Sequence, residues 1–269
     1  MGRRPMLAAV LVVLVLVVLF MVGQCVVGLV NSDRPLQVQT NLDNPAVGND
    51  AVDDERKLNH IRLNEGAYPA DLIAFAETYP QVIDFVYRYP ENEGVVGEID
   101  LSAEAASGEV PRLCQWDDRW GYAPYGDGVL GRYGCGPTCL SMVAIYLTGN
   151  PAYTPVFVAE YAESRGYYTY GVGSDWRLIA EGCAGFGLSS TEVPLGEASM
   201  VEQLDAGHPL ICAVGPGDFT AVGHYVVLTG YSDGSFTLND PNSVDNSNRT
   251  WTYDELSGQI EGIWAISRA

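Results

Sequence analysis

The chain has 269 residues, 47% of them apolar, and a formal net charge of −20 at pH 7, with 34 Asp and Glu against 14 Lys and Arg. That is enough apolar material for one substantial packed domain plus extra segments. It argues against a nucleic-acid partner, because phosphate contacts need clustered basic side chains and no basic stripe exists here.

Residues 1–30 differ in kind from the rest. Met1-Gly2-Arg3-Arg4 is a short basic start, and Met6 to Val30 is uncharged, with Gln24 its one strongly polar residue. About 20 apolar residues span a bilayer core as a helix. A cleavable signal peptide has a shorter apolar core, about 7–15 residues, and a small-x-small cleavage site. Gly28-Leu29-Val30-Asn31 is a poor match to such a site. The expectation is a cytoplasmic stub and transmembrane signal anchor over residues 1–30, with Arg3 and Arg4 inside and residue 31 onward outside. Secretion after signal cleavage is the alternative. Cys25 lacks the preceding small residue of a lipoprotein site and reads as a buried membrane cysteine.

Residues 31–50, rich in Asn, Asp, Pro and Gln, read as a stalk. Residues 51–107 read as a helical preamble and linker. A helix is expected from Ala51, acidic at its start through Asp53, Asp54 and Glu55. Leu72, Phe75, Ala76 and Tyr79, then Val82, Phe85 and Val86, recur at helical spacing, and Pro69, Pro80 and Pro90 punctuate two short helices. The preamble either packs on the following domain or stands as a small separate unit, joined by a Gly-, Glu- and Ser-rich connection over 91–108.

Residues 108–269 change pattern. Cys139 to Leu147 is an apolar helix ended by Gly149-Asn150. Further helices are expected over 154–164, 176–185 and 200–206. Strands follow over 210–214, 224–231, 235–238 and 263–267, with Ser232-Asp233-Gly234 as a hairpin turn. Helices first and an antiparallel sheet afterwards make an α+β fold.

Cys135 stands between Gly134 and Gly136 where its helix begins. Only a thiolate attacks well, and both a helix N-terminus and a neighbouring imidazolium favour it. The two glycines permit a sharp turn and a close approach to substrate. Pro137 suits the first helical position, where its missing N–H costs nothing, and the N–H groups of such a start can bind a developing oxyanion. Of three histidines, His60 lies in the preamble and His208 in the turn Ala206-Gly207-His208-Pro209. His224 alone opens a core strand, with Gly223 before it to make room. Asp240 follows the hairpin partner of that strand and is placed to hold the imidazole tautomer; the adjacent Asn239 can take the same role.

The segment from Asp240 to Asn248 lacks the glycine and distal glutamate of a calcium loop. No His, Cys and carboxylate group has metal-ligand spacing, so no metal or cofactor is expected. Cys114, Cys139, Cys183 and Cys212 allow three disulfide pairings that the sequence does not rank, and Cys212 reads as a free buried thiol on a strand. Trp176, the run Tyr167-Tyr168-Thr169-Tyr170 and Asp218-Phe219-Thr220 read either as cleft walls or as ordinary structural residues.

Four motifs occur in order: Gln115-Trp116-Asp117-Asp118-Arg119-Trp120-Gly121, then Gly134-Cys135-Gly136-Pro137-Thr138-Cys139, Gly223-His224-Tyr225-Val226-Val227-Leu228 and Asn239-Asp240-Pro241. Together they resemble the papain-like cysteine peptidases of the bacteriocin-processing, double-glycine-leader type, and more closely its stand-alone extracellular bacterial members. The resemblance covers about residues 108–269. It implies a papain-like fold, N-terminal helices packed on an antiparallel sheet, here preceded by a transmembrane helix. It implies Cys135 as nucleophile, His224 as base, Asp240 as orienting acid and Gln115 as oxyanion donor, acting on a peptide or protein substrate. The expected function is a membrane-anchored extracellular cysteine peptidase. The rivals are a peptidoglycan amidase or endopeptidase on the same fold, a catalytically silent peptide-binding module, and acyl transfer to an amine.

Overall fold

The structure is a computed structural model that describes residues 49–269. The expected signal anchor, and the expected stalk up to residue 48, lie outside the described residues. Among the described residues no helix is long and apolar enough to cross a membrane.

Nine strands are present among the described residues. Two short ribbons come first, β1 (Pro124–Tyr125) with β2 (Gly128–Val129) and β3 (Tyr168–Thr169) with β4 (Gly173–Ser174). The main sheet has five antiparallel strands: β5 (Leu188–Glu192), β6 (Leu210–Val214), β7 (His224–Ser232), β8 (Ser235–Asn239) and β9 (Ile260–Arg268), ordered β5-β9-β6-β7-β8. Side chains alternate across a strand, and the register divides them between two cores. Ile211, Ala213, Tyr225 and Val227 face the apolar helix Cys135–Thr148. Cys212, Val214, Val226 and Leu228 face a second cluster holding Met200 and Leu256, from the helices Glu197–Asp205 and Tyr253–Ser257. The β7–β8 hairpin closes through Asp233 and Gly234, at φ 50 and 77, the left-handed pair that a two-residue hairpin turn requires.

Two expectations need correction and one needs extension. The strand β5 adds to the expected strands: Leu188-Ser189-Ser190-Thr191-Glu192 carries one apolar residue, which suffices at a sheet edge paired only with β9. The helix expected over 176–185 is two pieces, Arg177–Ala180 and a 3-10 turn Gly182–Phe186. Glycine weakens a helix interior, and Gly182 and Gly185 instead lie against the Tyr167 and Tyr161 rings, where an added Cβ would come within 3.0 and 2.5 Å. Pro90 does not end its helix, which runs Ile83–Asn92; the proline sits in the last turns with an exposed ring.

The preamble packs on the rest, within the compact unit Asp53–Ala269. Leu72, Phe75, Val82, Phe85 and Val86 share one buried cluster with Tyr122 and Val129. The Phe85 ring stacks on Tyr122 at 4.5 Å between centroids, and the Tyr122 hydroxyl donates to the Phe85 carbonyl at 3.0 Å.

Candidate active site

Cys135 is the first residue of the helix Cys135–Thr148 and is half-buried. The unpaired N–H groups of a helix start place positive potential around its sulfur. Pro137 therefore occupies the third helical position rather than the first, still inside the turn whose N–H groups lack partners. Neither flanking glycine is left-handed; both are required by close approach. A Cβ at Gly134 would fall 2.4 Å from the Leu130 carbonyl oxygen, and one at Gly136 would fall 2.7 Å from the Ser174 side chain.

His224 opens β7 opposite Val214. Its side chain is 7% exposed and that of Asp240 is 1% exposed. The imidazole Nε2 donates to Asp240 Oδ1 at 2.7 Å. Alternation explains why Asp240 and not Asn239 meets the ring. Val227, which packs in the core under the Cys135–Thr148 helix, pairs with Asn239, so Asn239 points to that face and the next residue, Asp240, does not. There the Asn239 amide donates to the Val110 and Pro111 carbonyls, each at 3.1 Å. Asp240 is held in turn: Asn242 N donates to Oδ1 and Asn246 Nδ2 to Oδ2, both at 2.8 Å, while the Asp240 N–H donates to Ser247 Oγ at 2.9 Å. Apart from its two chain neighbours, no atom lies within 4 Å of an added Cβ at Gly223, which borders open space.

Burial works against charge on His224, but the Asp240 carboxylate, with the nearby Cys135 side chain acting in the same direction, outweighs it. The imidazole is raised from 6.5 to about 10. The structure thus brings Cys135, His224 and Asp240 together, and Gln115 is tied to the same place. Its backbone N–H donates to the Pro241 carbonyl at 2.8 Å, and the neighbouring Trp116 Nε1 donates to Asn242 O at 3.2 Å. The buried Gln115 amide directs Nε2 at the Gly131 carbonyl (2.9 Å) and, less closely, at that of Arg132 (3.3 Å), while Oε1 has no protein partner. The first bond fixes one amide hydrogen; the longer contact is the one a stronger acceptor can displace.

None of the five described cysteines is in a disulfide. Burial raises the thiols of Cys139, Cys183 and Cys212, and burial with nearby Asp117 and Asp240 pushes Cys114 up to about 11. His208 Nδ1 meets Gln203 Oε1 at 3.1 Å, and the His60 ring packs edge-on against Tyr87; neither belongs to the site. Ser174, Asn246 and Ser247 are the site residues that motif reading missed. The last two stand inside the segment that follows Asp240, and nothing in their own spacing marks them.

Residues 108–269, more than half of the chain, match the model of a family described as Peptidase_C39 like. Among curated proteins none matches. Among solved structures, the peptidase domain of Streptococcus ComA, a bi-functional ABC transporter involved in a quorum-sensing pathway, is similar at 19% identity and a TM-score of 0.41, over 51% of this chain and 93% of that one. A double-glycine-motif protease from an AMS/PCAT transporter, in complex with the leader peptide, is similar at 18% identity and a TM-score of 0.34, over 61% of this chain and 96% of that one.

Proposed function

The chain belongs to the Peptidase_C39 like family, and we propose that it is a cysteine peptidase hydrolysing peptide bonds through a thioester intermediate. The observation that carries this reading is the 2.7 Å hydrogen bond from His224 to Asp240, with the Cys135 side chain close enough to favour the charged ring. With Nε2 committed to Asp240, Nδ1 is the nitrogen left to exchange a proton with the thiol. The thiolate attacks the scissile carbonyl, and the displaced electron pair settles on oxygen. The Cys135 N–H and the Gln115 amide hold that oxyanion. The imidazolium then protonates the leaving amine as the C–N bond breaks. Water adds to the thioester with His224 as base, and the thiolate leaves. The exposed Tyr170 and Val172 precede Ser174 and the exposed Trp176 follows it, and Ser174 packs on Gly136; they support an apolar lip beside the nucleophile.

The test is digestion of a peptide library by the full chain, with Cys135→Ala as control. Cleavage by the parent alone supports the reading, and equal turnover in both refutes it. Release of muropeptides from purified cell walls without cleavage of library peptides would favour the amidase or endopeptidase. Gln115→Ala is expected to lower kcat by about 10²–10³-fold with KM little changed, because the amide serves the oxyanion and not the ground state. Steady-state kinetics check this; a change confined to KM would remove Gln115 from the oxyanion site.

We also propose that residues 1–30 anchor the protein with the peptidase outside the cell. The uncharged run Met6–Val30 behind Arg3 and Arg4 supports this. The protein is then expected to stay with membranes through alkaline carbonate extraction, and its release into the supernatant would refute the anchor.

A further inference from the structure

We propose that Gln81 is a positioning residue for the Cys135, His224 and Asp240 set, which makes the helical segment ahead of the family-matched span part of the catalytic machinery. The inference rests on the peptidase reading above. Gln81 lies in the 3-10 turn Pro80–Val82, outside residues 108–269. Its Oε1 accepts from Val244 N at 2.9 Å, and its Nε2 donates to Asp245 Oδ2 at 2.5 Å.

Val244 is the first residue of the short helix Val244–Ser247, so its N–H has no partner within the helix. Ser243 supplies the other cap, accepting from Asn246 N at 3.2 Å. This one turn carries both Asn246 and Ser247, which grip the Asp240 carboxylate and backbone. Gln81 thus holds the turn that holds the carboxylate that orients the ring. An amide suits the place because one end must accept from an N–H and the other must donate to a carboxylate.

The same segment supports the opposite wall of the site. A Cβ at Gly131 would fall 2.4 Å from the Phe85 ring, and the Gly131 carbonyl is the acceptor that fixes Gln115. Tyr133, two residues before the nucleophile, donates its hydroxyl to Asp71 at 2.8 Å. The Arg132 guanidinium lies 5.2 Å from the Phe75 ring centre.

The experiment compares kcat, KM and the pH profile of the full chain with those of Gln81→Ala and of the double variant Gln81→Glu with Asp245→Asn. The double variant keeps an acceptor for Val244 N and restores a complementary donor and acceptor pair. In Gln81→Ala, kcat is expected to fall roughly three- to tenfold, the range one lost hydrogen bond transmits, with KM unchanged and the alkaline limb moved to lower pH. The double variant is expected to return within about twofold of the parent. A lower melting temperature with unchanged kcat and unchanged limb would make Gln81 merely structural, and so would failure of the double variant to restore kcat. Cys135→Ala run alongside separates the two claims: if it still hydrolyses peptides the peptidase reading falls, whatever Gln81 does.

Discussion

Replacing Cys135 by alanine is expected to remove peptide hydrolysis by about four to six orders of magnitude while the fold survives. The sulfur is the attacking atom, so no residual covalent route remains, and only His224 acting on water is left. The fold should tolerate the change. Alanine is the best helix former, it is smaller than cysteine, and residue 135 sits at the end of its helix rather than in its packed middle. No other described thiol can substitute. Cys139, Cys183 and Cys212 are buried, and Cys114 is pushed up to about 11. An alkylating probe at neutral pH should therefore label Cys135 ahead of the others in the parent chain. Peptide turnover, melting temperature and mass-spectrometric labelling test the three parts. Labelling of Cys212 as fast as Cys135, with no peptide turnover, would favour a silent binding module.

Asp240→Asn is expected to be the second most damaging change, lowering kcat by roughly 10²–10⁴-fold at neutral pH. In the parent, burial disfavours the charged imidazole, and the Asp240 carboxylate overcomes it, raising His224 from 6.5 to about 10. The imidazolium is therefore the majority form up to about that pH, and activity should decline as pH rises through it. With an amide at 240 the largest contribution favouring the charged ring is gone while burial remains, so the alkaline limb should move to lower pH. The linked stability has the same sign. A raised folded-state value contributes fully below the unfolded value near 6.5 and is lost as pH climbs through about 10. The variant should thus lose stability at pH 6 and much less at pH 10. Asn246 Nδ2 would also face an amide in place of a carboxylate oxygen, at a further cost of about 1–3 kcal/mol. A pH–rate profile and melting curves at both pH values check this; an alkaline limb left near pH 10 would detach Asp240 from His224.

Much of the sheet and the helix of Cys135 were legible because their signals are local. The strand Leu210–Val214 is continuously apolar, and Asp233-Gly234 writes its own turn. Where the pattern misled, packing against distant residues overrode it. Gly182 and Gly185 break a helix to admit the Tyr167 and Tyr161 rings, and β5 exists because β9 offers it an edge.

The site divides in the same way. Residue order singled out Cys135, His224 and Asp240 with Asn239 as its alternative, since a nucleophile on a helix start and an imidazole on a strand start are each written by their neighbours, while Gln115 came only from the resemblance to a family. Only the tertiary structure decided which member of the Asn239-Asp240 pair faces the ring, because that depends on the β7–β8 register. It alone revealed that Gln115 leans on Gly131, that Gly131 leans on Phe85, and that Gln81 reaches Val244 and Asp245 across most of the chain. Spacing along a chain encodes periodicity within an element. Which side chain on one element meets which backbone group on another is set by how the elements pack, and no run of neighbouring residues records it.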